Sequence, residues 1–182
     1  EGEAKPAEGE VAEAAEEEKE KVDPEKLRSE AFKYYELALK NLDELIGPWN
    51  SPGGKVAADQ SEQKKKAMPA AYSLVGWCYD GLATISPGQE KLNYLRKAQS
   101  AFGRFVNKYP KDGKRVPAAM SRIGTIYAEL NDHKMAAQTL DELAQKFPDS
   151  KEGKKALFLL ARSMYEVKNY SKAVEAANTM FD

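Results

Sequence analysis

The sequence predicts an all-α fold built from stacked antiparallel helix hairpins. Three observations lead there. Ala, Leu, Lys and Glu dominate, and no run alternates Val, Ile or Thr with polar residues as a half-buried strand would. One phrase is written twice, as "MPAAYSLVGWCYD" from Met68 and as "VPAAMSRIGTIYAEL" from Val116, 48 residues apart. After each copy, apolar residues recur at helical spacing until a proline closes the unit.

The elements follow in chain order. Residues 1–23 form an acidic low-complexity linker. Residues 1–26 hold 11 acidic and 4 basic side chains, whereas the remaining 156 hold 24 basic and 18 acidic. Residues 1–21 contain one Val and no aromatic, too little apolar surface to offset the entropy of ordering. This segment is expected to fold back weakly onto the basic body or to stay mobile. Residues 24–68 are read as an N-terminal helix and loop, a degenerate remnant of a preceding unit. Asp23 suits an N-cap and Pro24 the first turn. Leu27, Ala31, Tyr34, Ala38, Leu42 and Leu45 make the expected inner stripe. Gly47-Pro48 is expected to stop the helix, and "GPWNSPGGK" reads as loop. Helix is expected again from about Ala57.

Residues 69–182 then divide into three hairpins, 69–110, 117–148 and 154–182, the last truncated. In the second, Met120, Ile123, Gly124 and Tyr127 share one helix face. Ala136, Leu140 and Leu143 form the inner face of the next helix, and Pro148 closes the unit. The third copy is fainter, with Leu157, Leu160, Ala161 and Met164, then Ala173, Ala177 and Met180. The spacing of 12 residues from Gly124 to Ala136 recurs from Ala161 to Ala173. The first copy has Tyr72, Val75, Gly76 and Tyr79, then Ala98, Phe102 and Phe105, closed by Pro110. Gly76 to Ala98 is 22 residues, so its turn is expected to carry the excess, around "ATISPGQEKL". Gly or Ala belongs where paired helices approach most closely, since a larger side chain would part them. One hairpin cannot bury both its faces, so the units stack. The third unit ends at "ANTMFD" without its proline, so the array is expected to continue past Asp182.

These residues resemble the tetratricopeptide repeat. Its Leu-Gly-x-x-Tyr pattern is matched by Val75-Gly76-Trp77-Cys78-Tyr79 and Ile123-Gly124-Thr125-Ile126-Tyr127. Its later Ala and closing Pro are matched by Ala136 and Pro148. The resemblance covers roughly residues 69–182 and implies a right-handed superhelix that binds proteins. The closing phrases "KYPKDGK" and "KFPDSKEGKKAL" are similar to the bacterial cell-envelope branch, with its Tol-Pal-associated YbgF type and outer-membrane-assembly BamD type. That likeness implies a periplasmic or membrane-associated protein. Any export signal or lipid-attachment cysteine would lie upstream of Glu1.

Little in the sequence suggests catalysis. His133 is the lone histidine and lies in a turn whose counterpart is Tyr170, which favours packing. Cys78, the lone cysteine, reads as a small core residue. Glu16, Glu17 and Glu18 read as a solvated run. No Cys/His cluster has metal-ligand spacing, and no Gly-rich phosphate loop follows a strand. No cofactor or metal is therefore expected. The cations are scattered, so nucleic acid is not an expected partner. No apolar run approaches the length of a membrane span.

What remains is a concave groove, which the resemblance places along the first helix of each hairpin. Its expected lining is Ser73, Trp77 and Asp80, then Ser121, Thr125 and Glu129, then Phe158, Arg162, Tyr165 and Glu166. Trp77, Phe158 and Tyr165 are typical anchors for a partner. Chaperone-adaptor domains of the family grip a terminal carboxylate with Lys and Asn at such places, and this sequence lacks them. The expected function is a non-catalytic scaffold for a protein or peptide. Its rivals are a structural segment of a larger assembly and the docking region of a longer enzyme. The sequence leaves the oligomeric state open.

Overall fold

A computed structural model describes residues 23–50 and 61–180. Among the described residues seven helices follow one another: α1 (Pro24–Asn50), α2 (Ser61–Ile85), α3 (Gly88–Lys108), α4 (Val116–Glu129), α5 (His133–Lys146), α6 (Lys151–Glu166) and α7 (Tyr170–Asn178). No strand occurs among the described residues. Each helix packs on its neighbour in the chain, and α4 also touches α6. The pairs α2–α3, α4–α5 and α6–α7 are the three expected hairpins.

Within the first two hairpins the paired helices pack tightly where the repeated glycines stand. A Cβ on Gly76 would fall 2.4 Å from the Phe102 ring, and one on Gly124 would fall 2.6 Å from Leu140 Cγ. Phe102 and Leu140 are both fully buried. They hold matching places, four residues after Ala98 and Ala136, which are fully buried too. Around these contacts a continuous core runs from Met68 and Tyr72 through Leu95 and Phe105 to Ile126, Leu143 and Leu160.

The turns of the second and third hairpins repeat atom for atom. Asn131 and Lys168 both have φ 61°. The next residue's N–H returns to the last turn of the helix, Asp132 to Tyr127 O at 2.8 Å and Asn169 to Met164 O at 2.9 Å, as in a Schellman ending. The same residues then cap the following helix. Asp132 accepts from the Met135 N–H at 3.1 Å, and Asn169 accepts from the Lys172 N–H at 3.3 Å. Ser150 caps α6, accepting from the Gly153 N–H at 2.9 Å.

Several expectations are corrected. The ten additional residues of the first hairpin do not lengthen its turn. The turn is only Ser86-Pro87, and the residues extend α2 to Ile85 and start α3 at Gly88. Longer helices bury more surface than a longer loop would, and Leu82, Ala83 and Leu95 are each only 1% exposed. The first unit does not start at Pro69, which lies inside α2. The expected helix start at Ala57 and most of the "GPWNSPGGK" loop lie outside the described residues, as do residues 1–22. Gly47-Pro48 does not stop α1, which runs on to Asn50. Pro48 lacks the N–H that would bond the Glu44 carbonyl, a loss confined to its own bond because the helix ends two residues later.

The inner face of α1 is also rotated from the expected stripe. Tyr35 sits against Gly81, where a Cβ would come within 2.2 Å of its ring. Phe32 meets Tyr94 edge to face at 6.1 Å, and Ile46 is buried. Leu27, Tyr34 and Leu45 point outward. In α7 the buried residue is Ala176, and Met180 lies past the helix end, 42% exposed. His133 is half-buried as the first residue of α5. Cys78 is buried, and burial pushes its thiol above the ordinary value.

Two outcomes follow for stability, both read by urea denaturation. Gly124→Leu forces a side chain into Leu140 and should destabilise the fold by roughly 1–3 kcal/mol. Lys168→Gly should stabilise it. The left-handed conformation costs a non-glycine residue about 1–2 kcal/mol, and the added chain entropy offsets only about 0.5–1 kcal/mol of that relief. Asn131→Gly should gain less, because Asn tolerates that conformation. Equal gains at the two sites would contradict this reading of the turn.

Candidate functional site

The ten residues expected to line a groove fall into distinct environments. Ser73 is buried, and its hydroxyl donates to Ala70 O at 2.9 Å, so it offers nothing to a partner. Ser121 and Thr125 are half-buried on α4, and the Thr125 hydroxyl donates to Ser121 O at 2.9 Å. Such back-bonding satisfies the hydroxyl within its own helix. Trp77 stays 41% exposed, with its ring edge-on to Phe102 at 4.9 Å. Arg162 and Glu166 are exposed on α6.

Asp80 and Glu129 are drawn together by a residue the sequence did not single out. The Arg122 guanidinium forks onto Asp80, with Nε to Oδ2 at 2.8 Å and Nη2 to Oδ1 at 2.6 Å. Its Nη1 reaches Glu129 Oε1 at 2.7 Å. Lys91, from the extended start of α3, stands 3.5 Å from the other Glu129 oxygen. The side chains of Arg122 and Asp80 are 20% and 14% exposed. Burial works against the Arg122 charge, but the hydrogen bonds and charges of Asp80 and Glu129 outweigh it and raise its pKa above the ordinary arginine value. A fork of this kind fixes orientation as well as energy. It ties the first helix of hairpin one to the first helix of hairpin two. Arg122 was legible in part: it stands seven residues before Glu129 on one face of an otherwise apolar helix.

Phe158 and Tyr165 lie where a following first helix would cover them. Phe158 shares its register with Ser121 and Ser73, and Tyr165 shares its register with Ala128 and Asp80. Those counterparts are buried or half-buried, whereas Phe158 and Tyr165 are 58% and 62% exposed. Tyr165 meets Tyr170 edge to face, at 5.5 Å. The ridge that does repeat in register is Trp77, Thr125 and Arg162, one residue from each hairpin. No cluster of His, Cys, Asp and Glu suited to a metal occurs among the described residues, and no described helix is long and apolar enough to cross a membrane.

The tetratricopeptide repeat family profile matches residues 118–150. That span covers α4, α5 and the closing turn, the hairpin that carries Gly124, Ala136, Leu140 and Pro148. No curated protein and no solved structure matches the chain significantly. The second hairpin thus matches the tetratricopeptide repeat family, and the fold is an all-α array of stacked helix hairpins.

The Arg122 fork lends itself to a double-mutant cycle. Asp80→Asn and Arg122→Met should show a coupling of about 1–3 kcal/mol, between the values for exposed and fully buried pairs. The exposed pair Lys146–Glu142 should give under about 0.5 kcal/mol. Similar small couplings at both sites would show that the fork does not hold the hairpins together.

Proposed function

We propose that this protein is a non-catalytic scaffold that binds a protein or peptide along the first helices of its hairpins. Tetratricopeptide repeats generally mediate protein–protein interaction, and the matched hairpin brings that expectation to this chain. The observation that carries the reading is Trp77. A large ring left 41% exposed on a rigid helix, pinned edge-on by Phe102, is preorganised for contact. Thr125 and Arg162 stand in the same register on the next two hairpins, and Arg162 adds an exposed guanidinium. The Asp80–Arg122–Glu129 cluster flanks this ridge and keeps α2 and α4 aligned. Display on fixed hairpins supplies affinity by avoiding ordering costs at the moment of binding.

The proposal includes a place, the bacterial cell envelope. It rests on the closing phrases "KYPKDGK" and "KFPDSKEGKKAL", the second of which does cap the next helix through Ser150. Fractionation of the native cells checks this directly, and a purely cytoplasmic signal would overturn it.

The binding test begins with capture of partners from native membranes, followed by titration of the recovered partner. Trp77→Ala should weaken that binding by about 2 kcal/mol, close to thirtyfold, while costing less stability than Gly124→Leu. If Trp77→Ala unfolds the protein as severely as Gly124→Leu, the ring is core. If it folds and binds normally, recognition lies on another face.

A further inference from the structure

We propose that residues 1–22 dock within their own chain on the outer face of α3, as an acidic cover over a cationic helix. The charges of the chain are not evenly spread. Residues 1–22 hold nine acidic and three basic side chains, a balance of −6. Residues 88–115, which are α3 and the turn that closes the first unit, hold two acidic and eight basic side chains, a balance of +6. The other 132 residues hold 18 acidic and 17 basic side chains, a balance of −1. Nearly all of the excess charge of either sign thus sits in two segments, and the two match.

The register of α3 builds the face. Leu95, Ala98, Phe102 and Phe105 fill its inner side and are buried. Arg96, Lys97, Arg104 and Lys108 lie on the other side and are exposed, with exposed Asn93, Ser100 and Asn107 between them. Lys97 stands over the Tyr94 ring at 5.2 Å, and Lys108 over the Tyr72 ring at 4.3 Å. Arg96 and Arg104 have no ion-pair partner among the described residues. Lys91 and Arg115, at the two ends, are held by Glu129 and Asp112. Three carboxylates border the face. Asp43 of α1 shares a recess with Arg104 and Lys108. Glu90 and Glu36 stand by Tyr94, whose pKa is raised by burial and then by these two charges. The neighbouring helices bring no compensating excess: α1 carries five acidic and four basic side chains, α2 two and three, and α4 one of each.

Chain geometry adds to charge in selecting residues 1–22 as the occupant. Pro24 and Leu27 border Ser86 and Pro87, so the segment joins the fold beside the turn that starts α3. Helix α3 has 21 residues and is about 30 Å long. A chain of 22 residues reaches up to about 70 Å, enough to follow the face to its far end. The tether holds the segment at an effective concentration on the order of millimolar, so a contact that is weak between molecules suffices within one. The lysine run at residues 64–66 is the rival surface. It lies about 27 Å along α2 from Thr84, which borders Pro24, and Lys65 is held by Glu62. A cationic helix face attracts polyanions of every kind. Covered by residues 1–22, it admits only a partner acidic enough to displace them.

Paramagnetic NMR on the full 182-residue chain is the test, with Cys78→Ala so that one introduced cysteine carries the spin label. A nitroxide on Ser100→Cys, in the α3 face, should broaden the amides of residues 1–22. A nitroxide on Ser171→Cys, exposed on α7, should leave them sharp. The broadening should not change with protein concentration, because the contact lies within one chain. It should fade as added salt shortens the Debye length to about 3 Å. Glu13→Gln, Glu16→Gln, Glu17→Gln, Glu18→Gln and Glu20→Gln together take the segment from −6 to −1 and should abolish it. Arg96→Glu with Arg104→Glu takes the face from +6 to +2 and should greatly reduce it, while circular dichroism stays unchanged. The segment variant touches no residue of the helices and needs no label. Compared with wild type it should move the amide shifts of α3 and leave those of α7 in place, so the contact reads out even if Cys78→Ala fails to fold. The proposal is overturned if the Ser100 label broadens nothing in residues 1–22 at low salt, or if both labels broaden them equally. It is equally overturned by broadening that survives the charge changes, or that grows with protein concentration.

Discussion

The fold depends on how closely the two helices of a hairpin can approach. At Gly76 and Gly124 there is no room for even a methyl group, because Phe102 and Leu140 occupy that space. Once those rings and branches are seated, the register of both helices is fixed. The residues at four-residue intervals must then fall inward, and they do: Ala98 with Phe102, and Ala136 with Leu140, are buried in pairs. In the third hairpin Ala161 stands in the place of Gly124 and Ala177 in the place of Leu140, a larger residue facing a smaller one. A short contact of this kind is cheap for the backbone only when one partner lacks a side chain, which is why the phrase around the glycine is what the sequence repeats.

That dependence explains which features were legible beforehand. The second hairpin could be read almost residue by residue, since its helices, turn and cap obey local rules. The first hairpin could be aligned through Gly76 and Phe102, but not measured. A stretch holding Pro87 and Gly88 reads locally as a turn, yet most of it is helical because Leu82, Ala83 and Leu95 gain burial from longer helices. The inner face of α1 was misjudged for a different reason. The helix carries apolar residues on two sides, so periodicity alone cannot say which side meets the core. Gly81 decides it, by making room for Tyr35, and that pairing spans 46 residues of sequence.

The candidate site was legible by register but not by environment. Repeat spacing correctly placed residues on equivalent helix positions. It could not tell that a position covered in one hairpin is uncovered in the last, so Ser73 and Phe158 were grouped although one is buried and the other open. It also missed that Asp80 and Glu129 are held by Arg122, whose partners lie 42 and 7 residues away. The result is a division of labour. Charged groups between first helices maintain alignment, and the rings of Trp77, Phe158 and Tyr165 are left facing outward.

An array of stacked hairpins should lose structure in pieces, from the less buried units inward. Native-state hydrogen exchange reads this directly. Amides in α4 and α5, around Ile123, Ile126, Leu140 and Leu143, should exchange most slowly, because those side chains lie in the continuous core. Amides in α7, where only Ala176 is buried, should exchange far faster and through a separate opening. If α7 proved as protected as α4, with one opening governing both, the chain would behave as a single cooperative globule, and the account of a repeat array that opens from its less buried units would be wrong.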